Sequence, residues 1–272
     1  MNIPSCVQAR RCLDPGEIEE VRALQMECPE GDRLQLNYPF MSRPENGDDH
    51  FLWREDGELV AYTGTMHYCP EEVEIVGMVH PSHRRKGIST ALLERAVASS
   101  RERGFSRMLL VTESGSEGGM AFAQKHGRRR FTEHLLTMEA SSFRPARTTI
   151  EMVELPSGDT AEIEEIMLES FGEVIEKPWA RRFVGRLDGR AVGMIDVDLE
   201  GREAFLSGFA VLPGERGKGY GRQILSAVVS LLLKDADSIS IEVETTNQRA
   251  LDLYLSNGFQ RVASYDYFEI AL

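Results

Sequence analysis

Two stretches of this chain, 132 positions apart, carry nearly the same pattern. Val79-His80-Pro81-Ser82-His83-Arg84-Arg85-Lys86-Gly87-Ile88-Ser89 is matched by Val211-Leu212-Pro213-Gly214-Glu215-Arg216-Gly217-Lys218-Gly219-Tyr220-Gly221, with the proline, the first arginine, the lysine and the glycine after it coincident. Self-similarity at a fixed offset marks a duplicated structural unit. A chain of 272 residues has room for two such units. It is therefore expected to fold as two tandem copies, residues 1–143 and 148–272, joined across the short polar segment Ser141 to Thr148.

The second copy of the repeat is chemically the more informative. Phe209 to Leu212 is an apolar run ended by Pro213 and Gly214, as a buried strand entering a turn should be. After the turn, Ile224, Leu225, Val228, Leu231 and Leu232 recur at helical spacing, so the glycine-rich segment opens a helix. Such a segment presents unpaired backbone N–H groups at the positive end of a helix dipole, beside Arg216 and Lys218. That is an anion site, suited to phosphate or pyrophosphate. Side chains at Gly217, Gly219 or Gly221 would hold phosphate oxygens off the amides or forbid a positive φ. A P-loop is excluded, because Gly219 and not a hydroxyl residue follows Lys218; the dinucleotide fingerprint is excluded because its third glycine is missing.

The order Arg216, Gly219, Gly221 fits Arg/Gln-x-x-Gly-x-Gly/Ala, and further along the chain Asn247, Ala250, Tyr254, Gly258 and Phe259 fit Asn-x-x-Ala…Tyr…Gly-Phe. On these two motifs the C-terminal copy resembles the GNAT superfamily of N-acyltransferases, over nearly all of residues 149–272. The resemblance implies an α/β fold, with each copy a central, mostly antiparallel sheet flanked by helices. It also implies acetyl-CoA as co-substrate, with no metal. In that pattern the fourth and fifth strands of the copy splay, and the pantetheine arm lies between them, bonded to backbone near Phe209 and Val211. Amides of Arg216, Gly217, Lys218, Gly219, Tyr220 and Gly221 hold the pyrophosphate, Asn247 contacts the pantetheine, and Tyr254 is the expected general acid for the thiolate leaving group. A neutral amine attacks directly, with the thioester oxygen held by backbone N–H. The base is not identified; Glu203, Asp196, Asp198, Glu242 and Glu244 lie on strands that could border the cleft.

The first copy departs from the pattern. Ser89 stands for the last loop glycine, the tyrosine position falls on Phe122 or Ala123, and the asparagine position falls on Gly115 or Ser116. Gly127 is followed by Arg128 where phenylalanine is usual. The N-terminal copy is therefore expected to be catalytically degenerate. An acyl-CoA-binding regulatory module or a scaffold without turnover is the alternative for the whole chain.

Periodicity and turn chemistry order the remaining elements. The first copy reads as a strand near 7–10, a helix from Pro15 to Glu27 capped by Asp14, and strands at 50–55, 58–68 and 71–80 with an Asp56-Gly57 hairpin. A helix ended by Gly104, a strand from Met108 to Thr112, a short helix at 116–126 and a strand from Phe131 to Glu139 complete it. The second copy repeats the order, with Asp159 as helix cap, a hairpin across Asp188-Gly189 and the alternating strand Ser238 to Glu244.

Composition narrows the partners. A net charge of -13 argues against a nonspecific nucleic-acid binder and is compatible with a small-molecule or peptide amine as substrate. No apolar run approaches the ~20 residues of a membrane span, and the start lacks the apolar core of a signal peptide, so a cytoplasmic monomer or homodimer is expected. Cys6, Cys12, Cys28 and Cys69 fit no zinc spacing and read as reduced thiols. His50, His80 and His83 invite a metal, but no ligand trio accompanies them. Acceptor specificity is expected in the loops 29–49 and 172–180.

Overall fold

The computed structural model describes residues 7–29, 41, 47, 49–67, 71–155, 161–174 and 180–272. Contacts group the chain into two compact units, residues 1–132 with 264–272, and residues 133–263. Each is a mostly antiparallel sheet flanked by helices.

The first unit starts with strand β1 (Val7–Arg10) and helix α1 (Pro15–Glu27). Asp14 caps α1: its carboxylate accepts the Glu17 N–H at 2.9 Å, and the Glu17 carboxylate accepts the Asp14 N–H at 3.3 Å. Two amides that helix geometry leaves unbonded are thereby satisfied. Strands β2 (His50–Glu55) and β3 (Glu58–Met66) join at Asp56-Gly57, with φ of 51° and 90°, the left-handed pair that matches strand twist. Strand β4 (Glu72–Val79), helix α2 (Ile88–Glu102), strand β5 (Arg107–Glu113) and helix α3 (Glu117–His126) follow. Helix α2 presses Ile88, Leu92, Leu93 and Ala96 onto Phe51, Val73, Ile75 and Leu110. Each of the buried isoleucine, leucine, valine and phenylalanine side chains stabilises the fold by roughly 1.5–3 kcal/mol.

The second unit repeats this plan. Strand β6 (Arg128–Glu139) leads into it, then β7 (Glu151–Leu155), helix α4 (Ala161–Phe171), β8 (Arg181–Leu187), β9 (Arg190–Glu200), β10 (Glu203–Val211), helix α5 (Tyr220–Leu232), β11 (Ser238–Glu244) and helix α6 (Gln248–Leu255), after which β12 (Gln260–Ala271) returns the chain to the first unit. Alternation along the strands divides the core between two faces. Ile195, Val197 and Phe183 pack under α5 with Ile224, Leu225 and Val228, whereas Val184, Met194 and Ala210 pack under α4 with Ile163, Ile166 and Met167.

In the first unit the sheet runs β1-β2-β3-β4-β5 and is closed by Tyr265 to Ala271 of β12. In the second it runs β7-β8-β9-β10-β11 and is closed by Glu133 to Glu139 of β6. The sixth strand of each unit thus comes from the far end of the other repeat. In both, the fourth and fifth strands pair in parallel, β4 with β5 and β10 with β11.

Asp159, Cys6 and Cys69 lie outside the described residues, as do most of the loops 29–49 and 172–180. Among the described residues Cys12 and Cys28 form no disulfide, and the Cys28 thiol lies 3.9 Å from the Val79 carbonyl. No helix of the described residues is long and apolar enough to cross a membrane.

Candidate active site

The parallel ladder of the second unit runs only from Glu203–Ser238 to Leu206–Ile241, after which β10 and β11 continue without pairing to each other. The first unit does the same: its ladder ends at Ile75–Leu110. Each unit therefore opens a cleft between its fourth and fifth strands, and the glycine-basic loop lies at the end of the fourth.

Both loops take one backbone form. Gly217 and Gly219 have φ of 83° and 82°, and Arg85 and Gly87, the matching positions of the first unit, have 66° and 85°. Left-handed residues at alternate positions turn successive N–H groups to one side, and Gly219 is the N-cap of α5 as Gly87 is of α2. A side chain at Gly217 or Gly219 would enter open space within which nothing lies closer than 4 Å, so the concavity is free for an anion. Arg216 turns back to the strand, donating from Nε to the Val211 carbonyl at 2.9 Å; Arg84 does the same to Val79 at 3.1 Å. These arginines anchor the loop while adding charge beside it. Lys218 reaches Glu215 at 2.8 Å, and Tyr220 begins α5 half-buried against the core.

Asn247 caps α6, its Oδ1 accepting the Ala250 N–H at 3.2 Å. Ser116 caps α3 in the same way, accepting the Gly119 N–H at 3.0 Å. The caps settle the gap left open by sequence: Ser116 matches Asn247, and the residue seven positions on is Ala123 in the first unit and Tyr254 in the second.

Tyr254 is 5% exposed, its ring 6.2 Å from that of Phe209 and 6.0 Å from that of Phe259. It thus lies beside β10 where that strand parts from β11. Burial pushes its phenol well above the ordinary tyrosine value, because the phenolate would lose its hydration. Ala123 is wholly buried and offers no hydroxyl. The first unit instead carries an open cavity of about 500 Å³ lined by Gly77, Val79, Arg84, Ser89, Thr112 and Phe122, a size typical of ligand sites.

The five carboxylates on the second unit's strands have different surroundings. Glu203 is exposed, Glu244 accepts from Thr246 at 2.6 Å, and Asp198 and Glu242 are half-buried. Asp196 is 1% exposed and held by Arg182 at 2.7 Å and 3.1 Å. That pair was not legible as a pair, since only cross-strand register joins residues fourteen apart. The same is true of His50, whose Nδ1 lies 2.9 Å from the Tyr62 hydroxyl in the first unit's interior. His80 and His83 flank Ser82 at 2.8 Å and 2.9 Å, and His83 meets Glu55 at 3.3 Å. Among the described residues no cluster of three His, Cys, Asp or Glu side chains is arranged for a metal ion.

Splayed parallel strands with a left-handed glycine loop at a helix N-terminus are the frame of an acyl-CoA-dependent transferase class, and the family comparison agrees. The model of the acetyltransferase (GNAT) family matches the chain twice, over residues 18–127 and 145–259. The chain belongs to the acetyltransferase (GNAT) family, whose co-substrate is acetyl-CoA.

The chain is 26% identical over 284 residues to a mycothiol acetyltransferase of Kineococcus radiotolerans, covering 92% of each. It is 28% identical over 220 residues to one of Clavibacter michiganensis, covering 71% of this chain and 70% of the relative. A putative [ribosomal protein bS18]-alanine N-acetyltransferase of Bacillus subtilis is 31% identical over 91 residues, 33% of this chain and 60% of the relative. In fold it is similar to a GCN5-related N-acetyltransferase from Sphaerobacter thermophilus, with TM-score 0.76, 17% identity and coverage of 99% and 97%. A tandem GNAT protein from the clavulanic acid biosynthesis pathway gives TM-score 0.72 at 14% identity, covering 97% and 98%.

Proposed function

We propose that the second unit transfers an acetyl or other small acyl group from CoA to an amine by direct attack, and that the first unit binds acyl-CoA without turnover. The observation that carries this is Tyr254 beside the parting strands in a unit whose loop also forms the amide nest. Acetyl-CoA, when bound, supplies the acyl group as an activated thioester. Backbone N–H groups of residues 216–221 hold its pyrophosphate, backbone near Phe209 and Val211 holds the pantetheine, and the amide nitrogen of Asn247 adds a donor. The Tyr254 phenol, kept protonated by burial, donates a hydrogen bond to sulfur as the C–S bond breaks. The incoming amine loses its proton to water or to a strand carboxylate.

In the first unit the same nest and an open cavity favour binding, while Ala123 leaves the sulfur without a donor. The acceptor is a small-molecule or peptide amine. An alanine-bearing peptide of a ribosomal protein and amines related to mycothiol head the list to try, because relatives' names point to them.

The test is thiol release from acetyl-CoA across an amine panel, run with the unmodified chain, Tyr254→Phe and Gly219→Glu. Amine-dependent release lost in both variants supports the reading. Release that survives both moves catalysis out of the second unit.

A further inference from the structure

The antiparallel ladder between β9 and β10 breaks at one place. Ser207 stands opposite Asp196 and Ala210 opposite Met194, so Gly208 and Phe209 share the single partner position of Ile195. This is a β-bulge, which turns a backbone group out of the ladder. Gly208 has φ of 54°, and a Cβ there would lie 2.9 Å from Asp196 Oδ2. The bulge backbone therefore rests directly on the Asp196 carboxylate. Arg182 holds that carboxylate from the neighbouring strand, Nε to Oδ1 at 2.7 Å and a terminal nitrogen to Oδ2 at 3.1 Å. Side chains of the pair are 9% and 1% exposed. Ser207 does not hold the carboxylate; its buried Oγ has no hydrogen-bond partner among the described residues.

The first unit is an internal control. In its ladders His50 stands opposite Gly64 and Gly64 opposite Val76, the positions that match Arg182, Asp196 and Gly208. There the ion pair is missing and β3 pairs with β4 without a break from Ala61–Val79 to Met66–Glu74. Pair and bulge occur together in one unit and are missing together in the other.

We propose that Arg182 and Asp196 are positioning residues for acyl transfer: the pair fixes the Gly208–Phe209 bulge and so aims its freed N–H at the thioester oxygen. A buried bidentate pair suits this task, because a guanidinium fork locks the carboxylate in one orientation where a monodentate ammonium would let it turn. The inference rests on the reading that the second unit's cleft takes the thioester.

The experiment is carbon-13 NMR of carbonyl-labelled acetyl-CoA bound to the full chain. A resonance lost in Gly219→Glu belongs to the second unit, and the proposal expects it downfield of free acetyl-CoA, as a hydrogen-bonded carbonyl is. In Arg182→Lys and Asp196→Asn it should return most of the way to the free position while acetyl-CoA affinity stays within about threefold. An unchanged shift in both folded variants overturns the proposal. Should either single variant unfold, the double replacement Arg182→Leu with Asp196→Leu decides, since apolar substitution of a whole buried pair is tolerated better than loss of one partner; a retained shift there also overturns it. If no resonance of the unmodified chain depends on Gly219, the reading of the second unit's cleft fails, and this proposal with it.

Discussion

The Tyr254 ring stands 6.2 Å from Phe209 with the planes 36° apart, so the proposed proton donor packs against the strand residue that follows the bulge glycine. Its position is set by the sheet as much as by its own helix.

Replacing Tyr254 by phenylalanine removes one oxygen from a packed ring. We expect turnover to fall by about 100-fold or more, with the melting temperature nearly unchanged. Alanine at the same place leaves a cavity and should cost roughly 3–5 kcal/mol. Steady-state kinetics beside thermal melts separates the two effects.

The same tyrosine links stability to alkaline pH. Its pKa is raised in the folded chain, so below the ordinary value of 10.0 both states keep the proton and nothing changes. Above 10.0 the unfolded chain ionises first, and stability falls as pH rises. Absorbance of phenolate, followed with denaturant stability from pH 9 upward, should find Tyr254→Phe less steep than the unmodified chain.

His50 works in the opposite direction. Burial lowers its pKa from 6.5 to about 4, only partly offset by Asp49. Unfolded His50 takes up a proton below 6.5 while the folded residue does not, so stability present at neutral pH is lost as pH falls toward about 4. The loss should reach on the order of 3 kcal/mol. Urea titrations at several pH values should give a flatter acid limb for His50→Gln, even if that variant is less stable at pH 7.

Gly208→Ala places a Cβ on a left-handed residue and against a carboxylate. A destabilisation of roughly 1–3 kcal/mol is expected, together with a fall in turnover larger than the change in acetyl-CoA affinity. Calorimetric binding and kinetics on one preparation test this.

Stoichiometry distinguishes the two loops. Gly219→Glu sets a negative side chain into one nest and Gly87→Glu into the other, each at positive φ. Titration with acetyl-CoA should give two equivalents for the unmodified chain and one for each variant. A single equivalent lost only with Gly219→Glu would leave the first cavity for another ligand.

Most of the repeat was legible along the chain. The shared pattern around Arg84 and Arg216, Asp14 ahead of its helix and the two Asp-Gly hairpins all act through neighbours a few residues away, and local geometry decides them. The family, the mixed fold and the glycine-basic loop at a helix N-terminus follow from signals of that range. Other features needed the folded sheet. Whether Ala123 or Phe122 answers Tyr254 waited on two helix caps. That Tyr265 to Ala271 pairs with β5, and Glu133 to Glu139 with β11, is a long-range choice that neither strand's own pattern names. Arg182 over Asp196, with Gly208 folded onto the carboxylate, exists only because register sets three strands side by side. Sequence by itself determined the elements and the left-handed glycine loop, since those depend on contacts within a turn or two. Tertiary structure alone decided which buried groups meet, because hydrogen bonds between strands carry no trace of their partner in either strand's own residues.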